Sequence, residues 1–495
     1  MTHATVSLGL DSLSSIGTVP TPAYRSRRPG CGIVHVGVGG FHRAHQAMYV
    51  DRLLEEADGS AVDWGICGVG LMPDDARMRD ALAPQDGLYT LTQRHPDGHE
   101  ETRVIGSLVD YLFAPADPEA VLDRLASPDT RIVSLTITEG GYNFAPATGR
   151  FDERDPGVRA DLEPGAVPRT VFGYVVEALR RRREAGLGSF TVMSCDNIAG
   201  NGEVAREMFT SFACLKDPDL ADWMSEHTAF PSSMVDRITP ATSPELVDDV
   251  ERRTGLVDRS PVVTEPFTQW VLEDHFVAGR PRLERVGVQI VDDVAPYERM
   301  KLRLLNGSHQ ALAYFGHLLG HRFVHDATED PLLHELVRVY MDEEAEPTLG
   351  PVPGIDLADY KRTLFERFGN HHIADTVPRL AAEASDRIPK WVVPVVRDQL
   401  LAGGPVRASA AVVAAWTRYA EGVDEHGRSF EVVDRLADRL VPLARRSRQE
   451  PLAFLQDEEL FGDLARQPGF TEPYLHTLGL LRTVGARATL AALVG

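Results

Sequence analysis

The sequence predicts an α/β N-terminal domain with a parallel-rich sheet, followed by a mostly α-helical C-terminal domain. Apolar strand-like runs separated by helical patterns predict the first domain, and a change to helical periodicity near residue 296 predicts the second. The strand-like runs are CGIVHVGV (31–38), WGICGVGL (64–71), RIVSLTIT (131–138) and SFTVMSCD (189–196). Because these runs are continuously apolar, they predict strands that are buried on both faces, as in a parallel sheet.

Helical patterns occupy the space between these runs and most of the second domain. The stretch PRTVFGYVVEALRRRREAGLG predicts a helix that begins near Pro168 and ends at Gly186. Further along, YERMKLRLLNGSHQALAYFGHLLG and ASAAVVAAWTRYAEGV have helical spacing. We place the domain boundary within 285–296 and assign 1–290 to the first domain and 291–495 to the second.

Composition narrows the class of protein. The 495 residues are too many for one hydrophobic core, and the net charge of −22 disfavours a nucleic-acid or anionic-membrane partner. The four cysteines form no C-x-x-C pair, and the chain shows neither a secretory signal nor a membrane-spanning run. We therefore expect a cytoplasmic protein without a disulfide framework.

A glycine-rich turn, GVGGFHRAH (37–45), follows the first strand-like run. It matches the start of the dinucleotide-binding pattern G-x-G-x-x-G, but His42 stands where the third glycine is expected. The candidate cofactor-binding residues of this turn are Gly37, Gly39, Gly40, Phe41 and Arg43. Backbone N–H groups at the start of a helix attract a pyrophosphate, whereas a tight turn without a ligand is the alternative.

Polar residues follow the other strand-like runs. The second run leads to Asp74 and Asp75, at the position where acidic residues hold the ribose hydroxyls of NAD and repel the 2′-phosphate of NADP. The distance from Gly39 exceeds the usual spacing of about 20 residues, so ordinary turn acids are the alternative. The third run leads to Thr138 and Glu139. The fourth leads to Asp196 and Asn197, which we expect on the same rim of the sheet.

The stretch ERMKLRLLNGSHQAL places Lys301, Asn306 and His309 on one predicted helix. At about 100° per residue they lie near 0°, 140° and 80° around the helix axis, so all three share one side. The axial rise from Lys301 to His309 is about 12 Å. A buried lysine is a usable general base, and an amide can donate to an alkoxide or a carbonyl oxygen. The alternative is a surface lysine beside a polar patch.

Two rival motifs overlap this region. Tyr297 and Lys301 spell the Y-x-x-x-K pair of short-chain dehydrogenases, although no serine lies in RPRLERVGVQ upstream. His317, His321 and His325 recur at helical spacing, as in a zinc site, but H-E-x-x-H is absent and Gly320 predicts a helix end before the third histidine. We therefore expect no metal.

Taken together, KLRLLNGSH, GVGGFHRAH, TITEGGY and SCDN resemble the polyol-specific long-chain dehydrogenases. The similarity runs from about residue 30 to near the C-terminus and includes MVDRITP, EPFTQWVLEDHF and PVPGIDLADYK. The resemblance implies a Rossmann-type domain, a helical domain, a cleft between them and metal-independent hydride transfer with NAD. The missing third glycine is normal in this family.

The resemblance also implies roles for individual residues. It makes Lys301 the general base. Asn197 and Asn306 would stabilise the oxyanion, and Asp236 and His309 would position the substrate. Glu298 would relay the proton, and Arg379 would contact the substrate. Arg387 stands where the mannitol-specific members have lysine, and its different geometry leaves hydroxyl selectivity open.

The function expected from the resemblance is reversible oxidation of D-mannitol to D-fructose with NAD by a monomer. The same chemistry on D-arabinitol, D-sorbitol or a sugar acid such as fructuronate is the alternative, because Arg379 and Arg387 could pair with a carboxylate. A nucleotide-binding regulator with an inert cleft is a third, more remote hypothesis.

Overall fold

The computed structural model describes residues 5–56, 59–144 and 149–495. The chain divides into two compact units, Met1–Ala295 and Pro296–Gly495. The first unit contains parallel strands and helices, and the second is mostly helical. These observations confirm the predicted fold class.

The strands and helices of the first unit are numbered in chain order. The strands β1 to β13 are Val6–Ser7, Cys31–Val36, Gly65–Gly70, Tyr89–Arg94, Glu100–Ile105, Leu108–Phe113, Ile132–Leu135, Thr191–Ser194, Ser233–Asp236, Leu256–Val257, Val262–Thr264, Gln269–Glu273 and Gln289–Val291. The helices α1 to α9 are Gly40–Ala44, Gln46–Leu54, Ala76–Leu82, Pro118–Ala126, Pro156–Leu162, Val171–Glu184, Asn201–Lys216, Pro218–His227 and Pro244–Thr254.

The main sheet of the first unit is five-stranded and parallel throughout, in the order β6-β3-β2-β7-β8. Four of its strands are the predicted apolar runs. On one face, Val34 and Val133 pack with α4, α6 and α7, and on the other face Ile33 and Ile132 pack with α2. Burial on both faces explains why these runs carry apolar side chains at successive positions.

Smaller sheets complete the first unit. Strands β11, β4 and β5 form one, in that order, and β13, β12 and β9 form another in which β12 runs antiparallel to β9. Strand β1 pairs with β10. The strand β6, which none of the predicted apolar runs covers, is an edge strand with mostly half-buried residues, so its apolar pattern is weak.

The second unit is built from helices. The helices α10 to α22 are Ala295–Met300, Gly307–Leu319, Val324–Glu329, Pro331–Val339, Leu357–Phe368, Val377–Ala381, Ala384–Trp391, Val393–Ala402, Arg407–Ala420, Ala437–Arg446, Glu458–Phe461, Pro468–Thr483 and Gly485–Val494. Helix α11 is buried along most of its length and packs against α13, α15 and α18. Within the described ranges, no helix has the length and apolar character needed to cross a bilayer.

Candidate active site

The glycine-rich turn connects β2 to α1 at the carboxyl end of the main sheet. Gly37 has a φ of +93°, and a Cβ at this position would lie 2.1 Å from the carbonyl oxygen of Thr136. Gly39 has room for a side chain, and α1 begins at Gly40. The close approach of the two strand ends therefore requires glycine at position 37.

His42 stands at the sequence position of the third glycine, and its ring lies flat against a neighbouring ring. Its ring stacks on that of His35 in β2 with a centroid distance of 3.4 Å and an interplanar angle of 12°. Burial lowers the pKa of His42 well below its usual value and that of His35 to about 3, so both rings are neutral. Helix α1 ends at Ala44, and α2 starts after His45, which has non-helical backbone angles. A stacked ring and a break in the helix thus replace the close packing that glycine provides.

A cavity of about 780 Å³ opens at the carboxyl ends of β2, β3 and β7. Three of the predicted cofactor residues line it: Gly37, Asp75 and Thr138. Ligands of open parallel sheets bind at this edge, outside the ends of the strands. The cavity is therefore the candidate cofactor site of the first unit.

The two acidic residues after β3 have different surroundings. Asp75 lines the cavity, and its Oδ2 accepts a hydrogen bond from the N–H of Met72 at 2.8 Å. The side chain of Asp74 is 90% exposed and lies 3.9 Å from Arg77. Of the predicted pair, Asp75 is the residue in position to meet a ligand in this cavity.

Two other predicted cofactor residues point elsewhere in the first unit. The guanidinium of Arg43 is buried, donates to the carbonyl of Ser260 and lies 5.2 Å from the ring centroid of Tyr89. Phe41 stacks on His45 at 5.1 Å. Neither residue is among those that line the cavity.

Asp196 fixes the rim where Thr138 and Glu139 lie. Its carboxylate accepts hydrogen bonds from the N–H of Thr138 at 2.8 Å, the N–H of Ile137 at 3.1 Å and the hydroxyl of Tyr142 at 2.8 Å. Thr138 has a φ of +62°, a conformation that a threonine adopts only when its surroundings impose it, and Glu139 is exposed. Asp196 therefore shapes the cavity wall by holding the turn after β7.

Asp196 also makes the free energy of unfolding depend on pH. Burial raises the pKa of Asp196 from 3.8 to about 6, so the folded state binds a proton more tightly than the unfolded chain. The resulting stabilisation is present below about pH 4 and is lost as the pH rises through about 6. We expect the free energy of unfolding of the wild type, relative to Asp196→Asn, to fall by up to about 3 kcal/mol over this window. Urea denaturation at several pH values measures this difference, and a constant difference would contradict the prediction.

Asn197 and Asp236 are the predicted substrate-facing residues of the first unit. Asn197 directly follows Asp196 and is exposed, whereas Asp236 is the last residue of β9 and is 5% exposed. The next residue, Arg237, donates to the carbonyl of Ala44 at 2.6 Å and to that of Glu265. This arginine ties the end of β9 to the end of α1.

Lys301, Asn306 and His309 lie on the helical segment that leads into α11. The segment Lys301–Asn306 is π-helical, and the N–H of Gly307 donates to the carbonyl of Leu302, five residues back. A π-helix has more residues per turn than an α-helix, so the angle around the axis between residues i and i+5 is smaller than in an α-helix. The α-helical spacing predicted an angle of about 140° between Lys301 and Asn306. The π-helical turn makes the angle between these two residues smaller than that value, in keeping with the prediction that they share one side of the helix.

The three side chains are buried, each with 7% exposure. The ring of His309 packs against Phe368 with a centroid distance of 4.7 Å, and Glu298, in the turn before Lys301, is half-buried. The Oδ1 atom of Asn306 is buried without a hydrogen-bond partner in the part of the chain that the structure describes. A buried amine and an unsatisfied amide are the groups expected at a polar binding site.

Arg379 and Arg387 are engaged within the second unit. Arg379 forms a bidentate pair with Asp375, with Nε–Oδ1 and Nη2–Oδ2 distances of 2.5 Å. Burial raises the pKa of Asp375, but the pair with Arg379 outweighs this effect and lowers the pKa below its usual value. Arg387 donates through Nη1 to the carbonyls of Arg379 and Leu380. The fork of Arg379 thus already holds a carboxylate.

The residues of the rival motifs have other partners. The hydroxyl of Tyr297 donates to the carbonyl of Pro353 at 2.8 Å. The proton that a catalytic tyrosine would transfer to a substrate is therefore already held in a hydrogen bond. The three histidines have separate environments: His317 packs against Phe430, His321 lies 3.4 Å from Asp330, and His325 packs against His371. Within the described residues, no group of three or more His, Cys, Asp or Glu side chains could hold a metal ion.

Comparison with known families decides the relationship. The model of the mannitol dehydrogenase Rossmann domain matches residues 31–285, and that of the mannitol dehydrogenase C-terminal domain matches residues 293–480. The chain belongs to the mannitol dehydrogenase family. This confirms the resemblance on which the predicted residue roles depend.

Relatives within the mannitol dehydrogenase family match most of the chain. Mannitol 2-dehydrogenase of Pyrenophora tritici-repentis is 48% identical, covering 94% of this chain and 82% of that protein. The solved ternary complex of Pseudomonas fluorescens mannitol 2-dehydrogenase with NAD and D-mannitol is 46% identical, with a TM-score of 0.90 over 99% of each chain. A substrate-free D-sorbitol dehydrogenase structure is 40% identical, with a TM-score of 0.89 over 98% of this chain and 100% of that one.

Two residues that contact or adjoin predicted site residues, one in each unit, were not predicted from the sequence. Asp375 stands four residues before Arg379, a spacing that is typical of a helical ion pair and could have revealed it. Arg237 follows Asp236 directly, but its partners, Ala44 and Glu265, are distant in sequence. The sequence alone therefore gives no indication of the hydrogen bonds from Arg237 to the carbonyls of Ala44 and Glu265.

Proposed function

We propose that this chain is an NAD-dependent polyol dehydrogenase that converts D-mannitol reversibly to D-fructose. The observation that carries the proposal is the buried set of Lys301, Asn306 and His309 on the π-helical segment and the start of α11. A relative of 46% identity has been solved with NAD and D-mannitol, which supports the same substrate class for this chain. A buried amine next to an amide suits the oxidation of a secondary alcohol.

The residues of the cavity fit a dinucleotide. Its volume of about 780 Å³ lies within the range of about 300–1,000 Å³ typical of ligand pockets, and Gly37 leaves backbone exposed where a side chain would collide. We assign the pyrophosphate to the turn from Gly37 to Phe41, and the ribose hydroxyls to Asp75. When bound, NAD supplies the hydride acceptor.

The side chains of the second unit supply the proton chemistry in this proposal. The neutral amine of Lys301 accepts the proton of the C2 hydroxyl while the C2 hydrogen leaves as hydride, so CH–OH becomes C=O. The amides of Asn306 and Asn197 donate to the developing oxyanion. Glu298 then takes the proton from Lys301 towards solvent. Because a lysine and two amides hold the proton and the oxyanion, the proposal requires no Lewis-acid metal.

A neutral polyol suits the site better than a sugar acid. We assign the positioning of the remaining hydroxyls to Asp236, His309 and Arg379. The fork of Arg379 is already paired with Asp375, and Arg387 donates to backbone carbonyls, so a substrate carboxylate would have to displace these partners. D-Sorbitol is the second candidate, because a D-sorbitol dehydrogenase is 40% identical to this chain.

Substrate identity is tested by a panel of kcat/KM values. We expect the highest values for the D-mannitol/D-fructose pair, with NAD preferred over NADP, and lower values for D-sorbitol and D-arabinitol. Preference for fructuronate would contradict the assignment of Arg379 and support the sugar-acid alternative. Absence of turnover with every polyol and ketose would support a nucleotide-binding regulator instead.

Asp75 is expected to set the preference for NAD. In Asp75→Ser the carboxylate that would repel a 2′-phosphate is gone, while the hydroxyl keeps an acceptor near the N–H of Met72. We expect the kcat/KM ratio of NADP to NAD to rise about tenfold, equivalent to ~1.4 kcal/mol. Asp80→Ser, on the exposed side of α3, is the matched control and should leave the ratio unchanged. An unchanged ratio in Asp75→Ser would remove this residue from the ribose site.

We further propose that the protein acts as a monomer in the cytoplasm. The net charge of −22 opposes self-association, and all four cysteines are free thiols, as in proteins of reducing compartments. Light scattering on the eluting protein measures the oligomeric state directly.

A further inference from the structure

A tyrosine from a distant part of the second unit contacts the π-helical segment. Tyr340 begins a second π-helical stretch, Tyr340–Ala345, and its side chain is fully buried. Its hydroxyl donates to the carbonyl of Arg303 at 3.0 Å, across 37 residues of sequence. Burial raises the pKa of Tyr340, so the hydroxyl keeps its proton and acts as a donor.

This hydrogen bond substitutes for one that an α-helix would make. In an α-helix the N–H of Gly307 would donate to the carbonyl of Arg303, four residues back. Here that N–H donates to the carbonyls of Leu302 and Leu304, and the carbonyl of Arg303 accepts from the hydroxyl of Tyr340 instead. Because a buried carbonyl needs a donor, the tyrosine hydroxyl satisfies the group that the π-helical register displaces.

Gly307 makes room for this contact. A Cβ at position 307 would lie 2.1 Å from the hydroxyl oxygen of Tyr340 and 2.8 Å from its Cζ. Any larger residue would push the tyrosine away from the helix. The absence of a side chain at Gly307 therefore allows the hydroxyl of Tyr340 to reach the backbone of the π-helical segment.

We propose that Tyr340, seated against Gly307, is a positioning residue that keeps Lys301 and Asn306 on one face of their helix. The proposal rests on the function proposed above, in which these two side chains act on the same hydroxyl group. In the α-helical register the angle between them would be about 140°, which is less suited to contact of the amine and the amide with one oxygen atom. Tyr340 acts through the backbone and does not itself touch the substrate in this account.

The Tyr340→Phe variant tests the proposal by removing one oxygen atom. We expect kcat for D-mannitol to fall about 10- to 100-fold, as for other small displacements of reacting groups, with KM for NAD unchanged within about twofold. The acid limb of the kcat–pH profile should also move, because the surroundings of Lys301 change. A crystal structure of the variant should show the N–H of Gly307 donating to Arg303.

The matched control is Tyr474→Phe. Tyr474 is equally buried, and its hydroxyl lies 3.0 Å from that of Thr417 in α18. This control removes a buried tyrosine hydroxyl away from the π-helical segment, so kcat and the pH profile should match those of the wild type. A loss of kcat in both variants would show only that buried hydroxyls support the fold, and would overturn the proposal.

Further outcomes of these experiments would also overturn the proposed role of Tyr340 or separate it from the proposed function. A Tyr340→Phe enzyme with wild-type kcat and pH profile, or one that keeps the π-helical register, would overturn the proposal. If this variant does not fold, Gly307→Ala displaces the same hydroxyl and should give the same change in kcat and pH profile, and wild-type kinetics there would equally overturn it. If the wild type turns over no polyol or ketose, the proposed function fails, and if Lys301→Ala retains turnover, the role of Lys301 as the base fails. In either case the change of helix register in Tyr340→Phe remains measurable by crystallography.

Discussion

Replacing Lys301 by alanine is expected to lower kcat for D-mannitol oxidation by about 10²- to 10⁴-fold, the contribution of a positioned general base. The lysine is 7% exposed and lies on the same π-helical segment as Asn306, so water cannot readily take over its role. The candidate cofactor cavity is lined by residues of the first unit alone, so the dissociation constant of NADH should stay within about twofold of the wild type. Steady-state kinetics and a fluorescence titration with NADH measure the two quantities.

Lys390→Ala provides the control for this variant. Lys390 is an exposed lysine of α16, so its removal deletes a positive charge without touching the proposed site. Its kcat should equal that of the wild type. Near-normal turnover in Lys301→Ala, with correct folding and NADH binding, would assign the base to another residue.

Replacing Gly37 by alanine is expected to damage both the fold and cofactor binding. The new Cβ would lie 2.1 Å from the carbonyl oxygen of Thr136, and a φ of +93° is unfavourable for alanine. Strained backbone of this kind costs about 1–3 kcal/mol, to which the collision adds. We expect the free energy of unfolding to fall by at least this amount, and the affinity for NADH to fall more than tenfold, or about 1.4 kcal/mol. Urea denaturation and NADH titration measure these effects.

Gly39→Ala is the stability control for this prediction. Its φ is −105° and the nearest atom to an added Cβ is 3.9 Å away, so the side chain can be accommodated. The loss of unfolding free energy should be below about 1 kcal/mol. Equal losses in Gly37→Ala and Gly39→Ala would show that the contact with Thr136 does not constrain the turn.

The strands of the main sheet could be predicted because burial on both faces leaves a strong local signal. The apolar runs around Val34, Val133 and Val192 are continuous, and each became a strand. The edge strand Leu108–Phe113 carries a polar Asp110 and half-buried neighbours, so its pattern resembles that of a loop. Burial decides which strands the pattern identifies, because Thr191–Ser194 is also an edge strand of this sheet but is buried throughout.

The candidate site was only partly predictable from the sequence. The residues Lys301, Asn306 and His309 stand close together in sequence, and their helical location follows from the surrounding leucines. The π-helical register does not follow, because the hydroxyl that satisfies its displaced carbonyl comes from Tyr340, 37 residues from Arg303. A local pattern cannot report a backbone distortion that a distant side chain stabilises.

The local structure at His42, where the dinucleotide-binding pattern has its third glycine, could not be predicted from the sequence either. From the sequence, His42 is an exception to the dinucleotide-binding pattern. In the structure its ring stacks on His35, and the helix breaks at His45, so the helix accommodates a side chain where glycine would allow close packing. The contact of His42 with β2 joins residues seven apart in sequence, and the dinucleotide-binding pattern does not encode it.

The most direct test of the central claim is single-turnover formation of NADH when the enzyme with NAD is mixed with D-mannitol in the presence of a metal chelator. We expect rapid appearance of NADH absorbance in the wild type, unaffected by the chelator, and near-complete loss of this absorbance change in Lys301→Ala. Loss of the wild-type signal in chelator with recovery on adding zinc, or equal NADH formation by Lys301→Ala, would contradict metal-independent hydride transfer with a lysine base.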